Sequence, residues 1–259
     1  METSTIDRRA RQALIVWGVF ISLNILFNGT ILFLLGKDLQ AWTASPLKSL
    51  LFNLVQYGSM FLVVPLILTK GWETVRQPAF LLPLALAILS FTLREVYRPV
   101  AALAVLVLAY LHARYDLSEL GFRSRSWRID FSVILLIGLL FGSQRFFSSR
   151  PFSFRLIPAC LAALDRLFLN TASTAEYIFY FGFLAECLSD KLGRWWTPVL
   201  IGGMYTLHEM SKPEYWYEGM FFPIIFIGIA LLAAIYLWRR NITAVWLGDG
   251  LGWFLARLF

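Results

Sequence analysis

The sequence predicts an all-α, polytopic integral membrane protein with about eight transmembrane helices, and three observations predict it. First, 59% of the 259 residues are hydrophobic and only 15% are charged, whereas a soluble domain carries about 25% charged and about 45–50% apolar residues. A chain of this length needs a polar shell to cover its core; too few charges remain to build one, so lipid must be the solvent for most of the surface. Second, the apolar residues are gathered into long runs that hold few charges or none. Third, Lys and Arg cluster between those runs, as positive-inside topology and anionic headgroups require. The net charge of +7 therefore reads as membrane topology and not as a nucleic-acid footprint. Disordered, collagen-like and disulfide-scaffold classes are excluded by the same composition.

The first run, residues 13–36, follows Arg8, Arg9 and Arg11 and carries no charge. It exceeds the roughly 7–15 residues of a signal-peptide apolar region and lacks a small-residue cleavage site; a bilayer span takes about 20 residues. Runs at 49–69, 79–93 and 99–113 complete an N-terminal set of transmembrane helices over residues 1–113. Residues 114–130, with Arg123, Arg125 and Arg128, form a basic cytoplasmic interfacial segment. Residues 131–259 form the core that carries the candidate site, with runs at 131–147, 156–170, 171–190, 197–210, 219–238 and 241–258. The 156–170 run contains Asp165 and Arg166 and belongs at the interface or inside the protein.

With the N-terminus in the cytoplasm, 13 of the 23 Lys and Arg residues fall on the inner side, including the densest clusters. The expected location is a multi-pass position in a cytoplasmic (bacterial inner) membrane, with residues 211–218 facing outward and Tyr215, Trp216 and Tyr217 as an interfacial aromatic belt. Cys160 and Cys187 lie in apolar stretches and read as small core residues. The chain has no Gly-rich phosphate loop, no His-Glu-x-x-His and no Cys-x-x-Cys, which removes zinc-helix proteases and nucleotide-driven machines.

Ionisable residues within spans are costly, so each is a functional candidate. The informative ones are Glu176, Glu186, His208, Glu209 and Asp249. Glu176 lies about 9 Å into its span, and His208 lies about 21 Å beyond Arg194, near the opposite end of its own. Consecutive spans run antiparallel, so the two fall at similar depth, and Asp249, near mid-membrane, approaches them from below. Glu186 belongs to the other end, beside Asp190, Lys191 and Arg194. A buried polar cluster also ties helices together, at about 0.6–2 kcal/mol per contact; three helices offering a Glu, a His and an Asp to one level point further, to chemistry. His208 and Glu209 stand about 100° apart on a helix, so Glu209 is expected to face the loop at 211–218. The other histidine, His112, snorkels at a span end. Gly182, Gly202, Gly203, Gly248, Gly250 and Gly252 allow close helix approach or leave room for a substrate chain.

The stretch Glu176-Tyr-Ile-Phe-Tyr-Phe-Gly-Phe-Leu184, followed by Leu188 and Gly193, resembles the first motif of the CAAX protease and bacteriocin-processing (CPBP) family of intramembrane endopeptidases. Leu117-Ser-Glu-Leu-Gly-Phe-Arg123 with Trp127-Arg-Ile-Asp130, Met204-Tyr-Thr-Leu-His208, and Trp246-Leu-Gly-Asp-Gly-Leu-Gly-Trp253 are similar to its lead-in, second and third motifs. The resemblance covers about residues 115–258. It departs from the family pattern where Tyr177 stands for a second Glu, Phe181 for an Arg, Met204 for a Phe, and Asp249 and Trp253 for the third-motif pair.

The resemblance implies a fold of about eight helices and an intramembrane protease, a hydrolase in which Glu176 and His208 activate water against a peptide bond. Asp249 completes the catalytic set. Tyr177, Tyr180, Met204, Glu209 and Trp253 position the substrate or the oxyanion, for which donors matter more than residue names. No cofactor is implied; the partners are membrane lipid and a membrane-anchored protein or peptide substrate. Two other readings stand beside this one: a catalytically degenerate CPBP-like protein that binds or scaffolds a membrane partner, and a metal-dependent membrane hydrolase with Glu176, His208 and Asp249 as ligands.

Overall fold

A computed structural model describes residues 3–44, 73, 121–124, 126–143, 154–169, 176–216 and 221–258. Every regular element among them is helical, with no strand. The runs predicted at 49–69, 79–93 and 99–113, and His112, lie outside the described residues. Two of the described helices contain segments long and apolar enough to cross a membrane, Ala10–Leu34 and Phe222–Arg239.

Helix α1 (Thr3–Leu34) is about 48 Å long at 1.5 Å per residue. It buries a stripe made by Ala10, Ala13, Phe20, Asn24, Asn28 and Ile31, whose three- and four-residue steps trace one helix face. Ile15, Leu26, Phe27 and Phe33 on the other faces are exposed. The helix stops where the uncharged run stops: Gly36 has φ 65°, Lys37 N–H donates to the Leu32 carbonyl at 2.8 Å and Gly36 N–H to Phe33 at 3.1 Å, a Schellman closure. Asp38 then caps α2 (Leu39–Ala44), accepting from the backbone N–H of Gln40 and Ala41, and Trp42 is buried against Ile31 and Leu32.

The remaining helices are α3 (Trp127–Gly142), α4 (Leu156–Leu164), α5 (Glu186–Met210), α6 (Phe221–Arg239) and α7 (Ile242–Leu258). Helix α4 continues as a π-helical turn over Asp165–Leu169, and α5 is entered through a second one over Ile178–Ala185. Gly193 interrupts α5 with φ 70° and ψ 175°. That break is decisive for the site. On one continuous helix Glu176 and Tyr205 would stand about 44 Å apart, yet their side chains hydrogen-bond. A left-handed φ is strained for any residue with a Cβ, so glycine is the residue that lets the chain fold back here.

Helix α5 packs on α6 and α1, while α7 lies against α3 and α4. The α3–α7 contact is reciprocal: Gly248 and Gly252 face Ile137 and Phe141, and Gly138 and Gly142 face Leu251 and Leu255. A Cβ at Gly252 would lie 2.6 Å from the Phe141 Cβ, so close backbone approach depends on the missing side chains. The glycines around Asp249 are thus filled by neighbours: Ile137, Phe141 and, against Gly250, Leu167. Among the described residues these three glycines serve helix packing.

Polar groups lock one end of the bundle. Arg239 donates twice to Asp130 Oδ1, at 3.0 and 2.8 Å, and Ser124 donates to Oδ2 at 2.7 Å. Burial raises the Asp130 pKa, but the Ser124 hydroxyl and the Arg239 guanidinium outweigh it and hold the carboxyl below its usual range. Beside this pair, Glu186 accepts from the Tyr236 hydroxyl at 2.6 Å and from Arg240. Glu186, at the start of α5, is thus partnered by α6 and the turn after it, at the end away from Glu176. Cys160 departs from expectation. It is exposed, on a face of α4 shared with Leu156, Ile157 and Leu161, while Cys187 is half-buried; the two form no disulfide with each other.

Candidate functional site

Glu176 opens the π-helical entry to α5, and His208 and Glu209 lie in its last turn. The fold-back at Gly193 sets the three on one another: one ligating atom from each lies within 4.8 Å of the others, and all three residues are buried. Tyr205, one turn before His208, donates its hydroxyl to Glu176 Oε2 at 2.6 Å. Lys212, two residues past the helix, curls back and is buried too, with its Nζ 2.7 Å from Glu209 Oε1 and 3.9 Å from Glu176 Oε1. Two carboxylates, one imidazole and one ammonium thus share a buried site.

Aromatic rings wall it. The His208 ring centroid lies 6.0 Å from Tyr180, 5.9 Å from Tyr205 and 6.1 Å from Phe20. Helix α1 contributes more than Phe20. Trp17 Nε1 donates to the Tyr180 hydroxyl at 3.2 Å, and Asn24 donates to Ser211 Oγ. Asn28 donates to the Ser211 carbonyl at 2.9 Å, and Ser211 Oγ in turn donates to the His208 carbonyl at 2.6 Å. The turn that ends α5 is thereby fastened to α1, which holds His208 and Lys212 in register. Met204 is buried in the hydrophobic core one turn before His208.

Asp249 has a different partner. Its Oδ2 accepts from Arg166 Nε at 2.6 Å, and Arg166, carried by the π-helical end of α4, lies 5.5 Å over the Trp253 ring. Tyr177 is buried and stacked on Phe181. Asp249 is thus absent from the Glu176–His208 group, and Glu209 stands in it. Glu209 pairs with Lys212, a residue of the 211–218 loop toward which its backbone azimuth points, and its carboxylate also comes within 4.8 Å of the Glu176 and His208 ligand atoms. Trp253 is 40% exposed while Tyr180 is fully buried, so only the latter walls the imidazole.

Arg166, Tyr205, Lys212, Asn24, Asn28 and Ser211 were not among the predicted site residues. A polar pair at i, i+4 inside an apolar run, Asn24 and Asn28, and a tyrosine one turn from His208 were visible signals. Lys212 gave none, because a lysine in a loop is ordinarily solvated.

Glu176, His208 and Glu209 offer oxygen and nitrogen donors of the kind that hold a divalent cation. Lys212 already supplies the positive charge that these carboxylates require, and a cation would have to displace it from 2.7 Å contact with Glu209. A cavity of about 220 Å³ lies elsewhere, lined by Pro158, Ala162, Asp165, Arg166, Trp253 and Arg257, and touches none of the three. No protein-family model, curated protein or solved structure matches the chain.

Proposed function

We propose that the chain is a multi-pass membrane hydrolase, an intramembrane endopeptidase of the CPBP type, in which Glu176 is the general base. One observation carries the reading: Glu176, His208 and Glu209 converge within 4.8 Å at a buried point, although Glu176 and His208 come from opposite sides of a chain reversal. Apolar surface supports the membrane part. Ile15, Leu26 and Phe33 on α1 and Ile224, Ile227 and Leu231 on α6 are exposed, which water would penalise and lipid would not. Eight spans, a cytoplasmic N-terminus and the CPBP-like core belong to the same proposal.

The chemistry follows from which atoms are engaged. Glu176 Oε2 is held by Tyr205, which leaves Oε1 to take a proton from water as the water oxygen attacks a peptide carbonyl. His208 orients that water. Lys212, 3.9 Å from Glu176 Oε1, is the charge that stabilises the oxyanion, a role the sequence reading gave to the group Tyr177, Tyr180, Met204, Glu209 and Trp253. Buried donors act strongly there because no water screens them. Glu176 then returns the proton to the departing amine, and the carbon–nitrogen bond breaks.

The test is Glu176→Gln, which keeps shape and hydrogen bonding but not basicity. Cleavage of a co-expressed membrane-anchored peptide should fall about 10²-fold or more, with thermal melting unchanged. Undiminished cleavage by the folded variant would eliminate the glutamate base. A second reading, a non-catalytic protein that binds a membrane partner, is favoured by the Lys212–Glu209 pair filling the site; a wild type that cleaves nothing yet co-purifies with a partner released by Glu176→Gln would establish it. In metal analysis of the purified protein, stoichiometric metal would replace both with the metal-dependent hydrolase.

A further inference from the structure

The cavity between α4 and α7 has features that the hydrolytic site does not use. Its walls combine two guanidinium groups, Arg166 and Arg257, one carboxylate, Asp165, and the apolar surfaces of Pro158, Ala162 and Trp253. Arg166 is clamped from two sides, by Asp249 at 2.6 Å and by the Trp253 ring at 5.5 Å, so its charge is fixed in place. Its side chain is still 21% exposed. Arg257 follows Trp253 by one helical turn, in the last turn of α7. The groove walls are joined where Arg155 N–H donates to the Leu258 carbonyl at 2.8 Å.

The surroundings identify the occupant. Along α4, Leu156, Ile157, Leu161 and Leu164 are all exposed, next to the face that lines the groove. A charged groove framed by exposed apolar side chains suits an amphiphile with a charged head and hydrocarbon tails. The volume of about 220 Å³ is below the roughly 300–1,000 Å³ of pockets that enclose a drug-sized ligand, and so fits a headgroup rather than a whole molecule. Guanidinium groups pair with phosphate oxygens, and Asp165 adds an acceptor for an ammonium.

We infer that this groove binds the phosphodiester headgroup of a membrane phospholipid, with Arg166 and Arg257 on the phosphate, Asp165 on an ethanolamine-type amine, and the tails along α4. The inference rests on the membrane reading above and is independent of the hydrolytic one. The experiment uses full-length protein, delipidated in mild detergent, with native mass spectrometry and thermal melting as readouts. The probes are phosphatidylethanolamine, diacylglycerol and inorganic phosphate.

Phosphatidylethanolamine should form a one-to-one adduct and raise the melting temperature, whereas diacylglycerol and inorganic phosphate should do neither. Arg257→Gln, at an exposed position, should melt like the wild type and bind phosphatidylethanolamine at least tenfold more weakly. Asp165→Asn should reduce the preference for phosphatidylethanolamine over phosphatidylglycerol. Equal binding by Arg257→Gln, or equal binding of diacylglycerol, would overturn the headgroup site, and equal binding of inorganic phosphate would make it a free-anion site instead. Alkaline washing of membranes separates the two levels: release of the chain sinks the membrane reading, while retention without lipid binding sinks only this one.

Discussion

Two regions of the molecule are built from the same parts and balance them differently. At the Arg239 end, Asp130 pairs with Arg239 and Glu186 with Arg240, each acid with its own base. At the other end, among the described residues, Glu176 and Glu209 share the ammonium of Lys212 beside His208. Each region even has a tyrosine that donates to a glutamate at 2.6 Å, Tyr236 to Glu186 and Tyr205 to Glu176. Matched charges hold helices together and have no proton to give or take. A surplus carboxylate held out of water is what proton transfer needs. The difference teaches that burial of charge alone does not mark a site; unequal pairing does.

Removing one partner of a matched pair should produce the largest effect on stability. Arg239→Met leaves the Asp130 carboxylate buried beside an apolar side chain, and unfolding in detergent should become easier by about 3 kcal/mol, at the low end for buried pairs because Ser124 remains bonded. Lys212→Met should cost less, about 1.5–3 kcal/mol, since one of the two adjacent carboxyls can take up a proton to relieve the repulsion. Under the proposed hydrolysis, cleavage should collapse only in the Lys212 variant. Equal losses of stability with activity retained in both would erase the contrast between the two ends.

The paired tyrosines sharpen it. Tyr236→Phe and Tyr205→Phe each delete one hydroxyl donated to a carboxylate, and each should lower stability by about 1.5 kcal/mol. Turnover of a membrane-anchored peptide should drop about tenfold in Tyr205→Phe, equivalent to about 1.4 kcal/mol, and stay unchanged in Tyr236→Phe. The reverse ranking would move the chemistry to the Glu186 end.

The smallest effect is one of pH. Because the folded Asp130 pKa is depressed, its contribution is fully present above the unfolded carboxyl value of about 3.9 and disappears as pH falls through the lower folded value. Melting curves of the detergent-solubilised protein should therefore lose stability below about pH 4, with a shallower slope in Asp130→Asn. Identical slopes would mean that the Ser124 and Arg239 contacts are not maintained in solution.

Much of the architecture could be read from residue order. The uncharged run that ends at Gly36 becomes a helix that ends at Leu34 with Gly36 in its closing turn, because a residue tolerant of positive φ closes a Schellman turn without strain. The polar side chains embedded in apolar runs, Glu176, His208 and Asp249, are all buried, and burial is tolerated where partners offset the desolvation, as Tyr205 does for Glu176 and Arg166 for Asp249. The reversal at Gly193 lay within the break between the 171–190 and 197–210 runs. Composition and periodicity suffice for such features because each depends on a few neighbouring residues.

The choice of partners does not. Glu209 joins Glu176 and His208 while Asp249 goes to Arg166, and Glu186 reaches Arg240 across 54 residues of chain. Helical spacing sets where a Cα sits around an axis, but Glu, Lys and Arg have long rotatable stems that reach well past their own azimuth. The π-helical turns at Asp165–Leu169 and Ile178–Ala185 further shift the phase that a regular helix would keep. Which acid meets which base is therefore settled only when helices distant in sequence pack together, because a buried ion pair is selected by the local balance of desolvation and attraction among all the groups present.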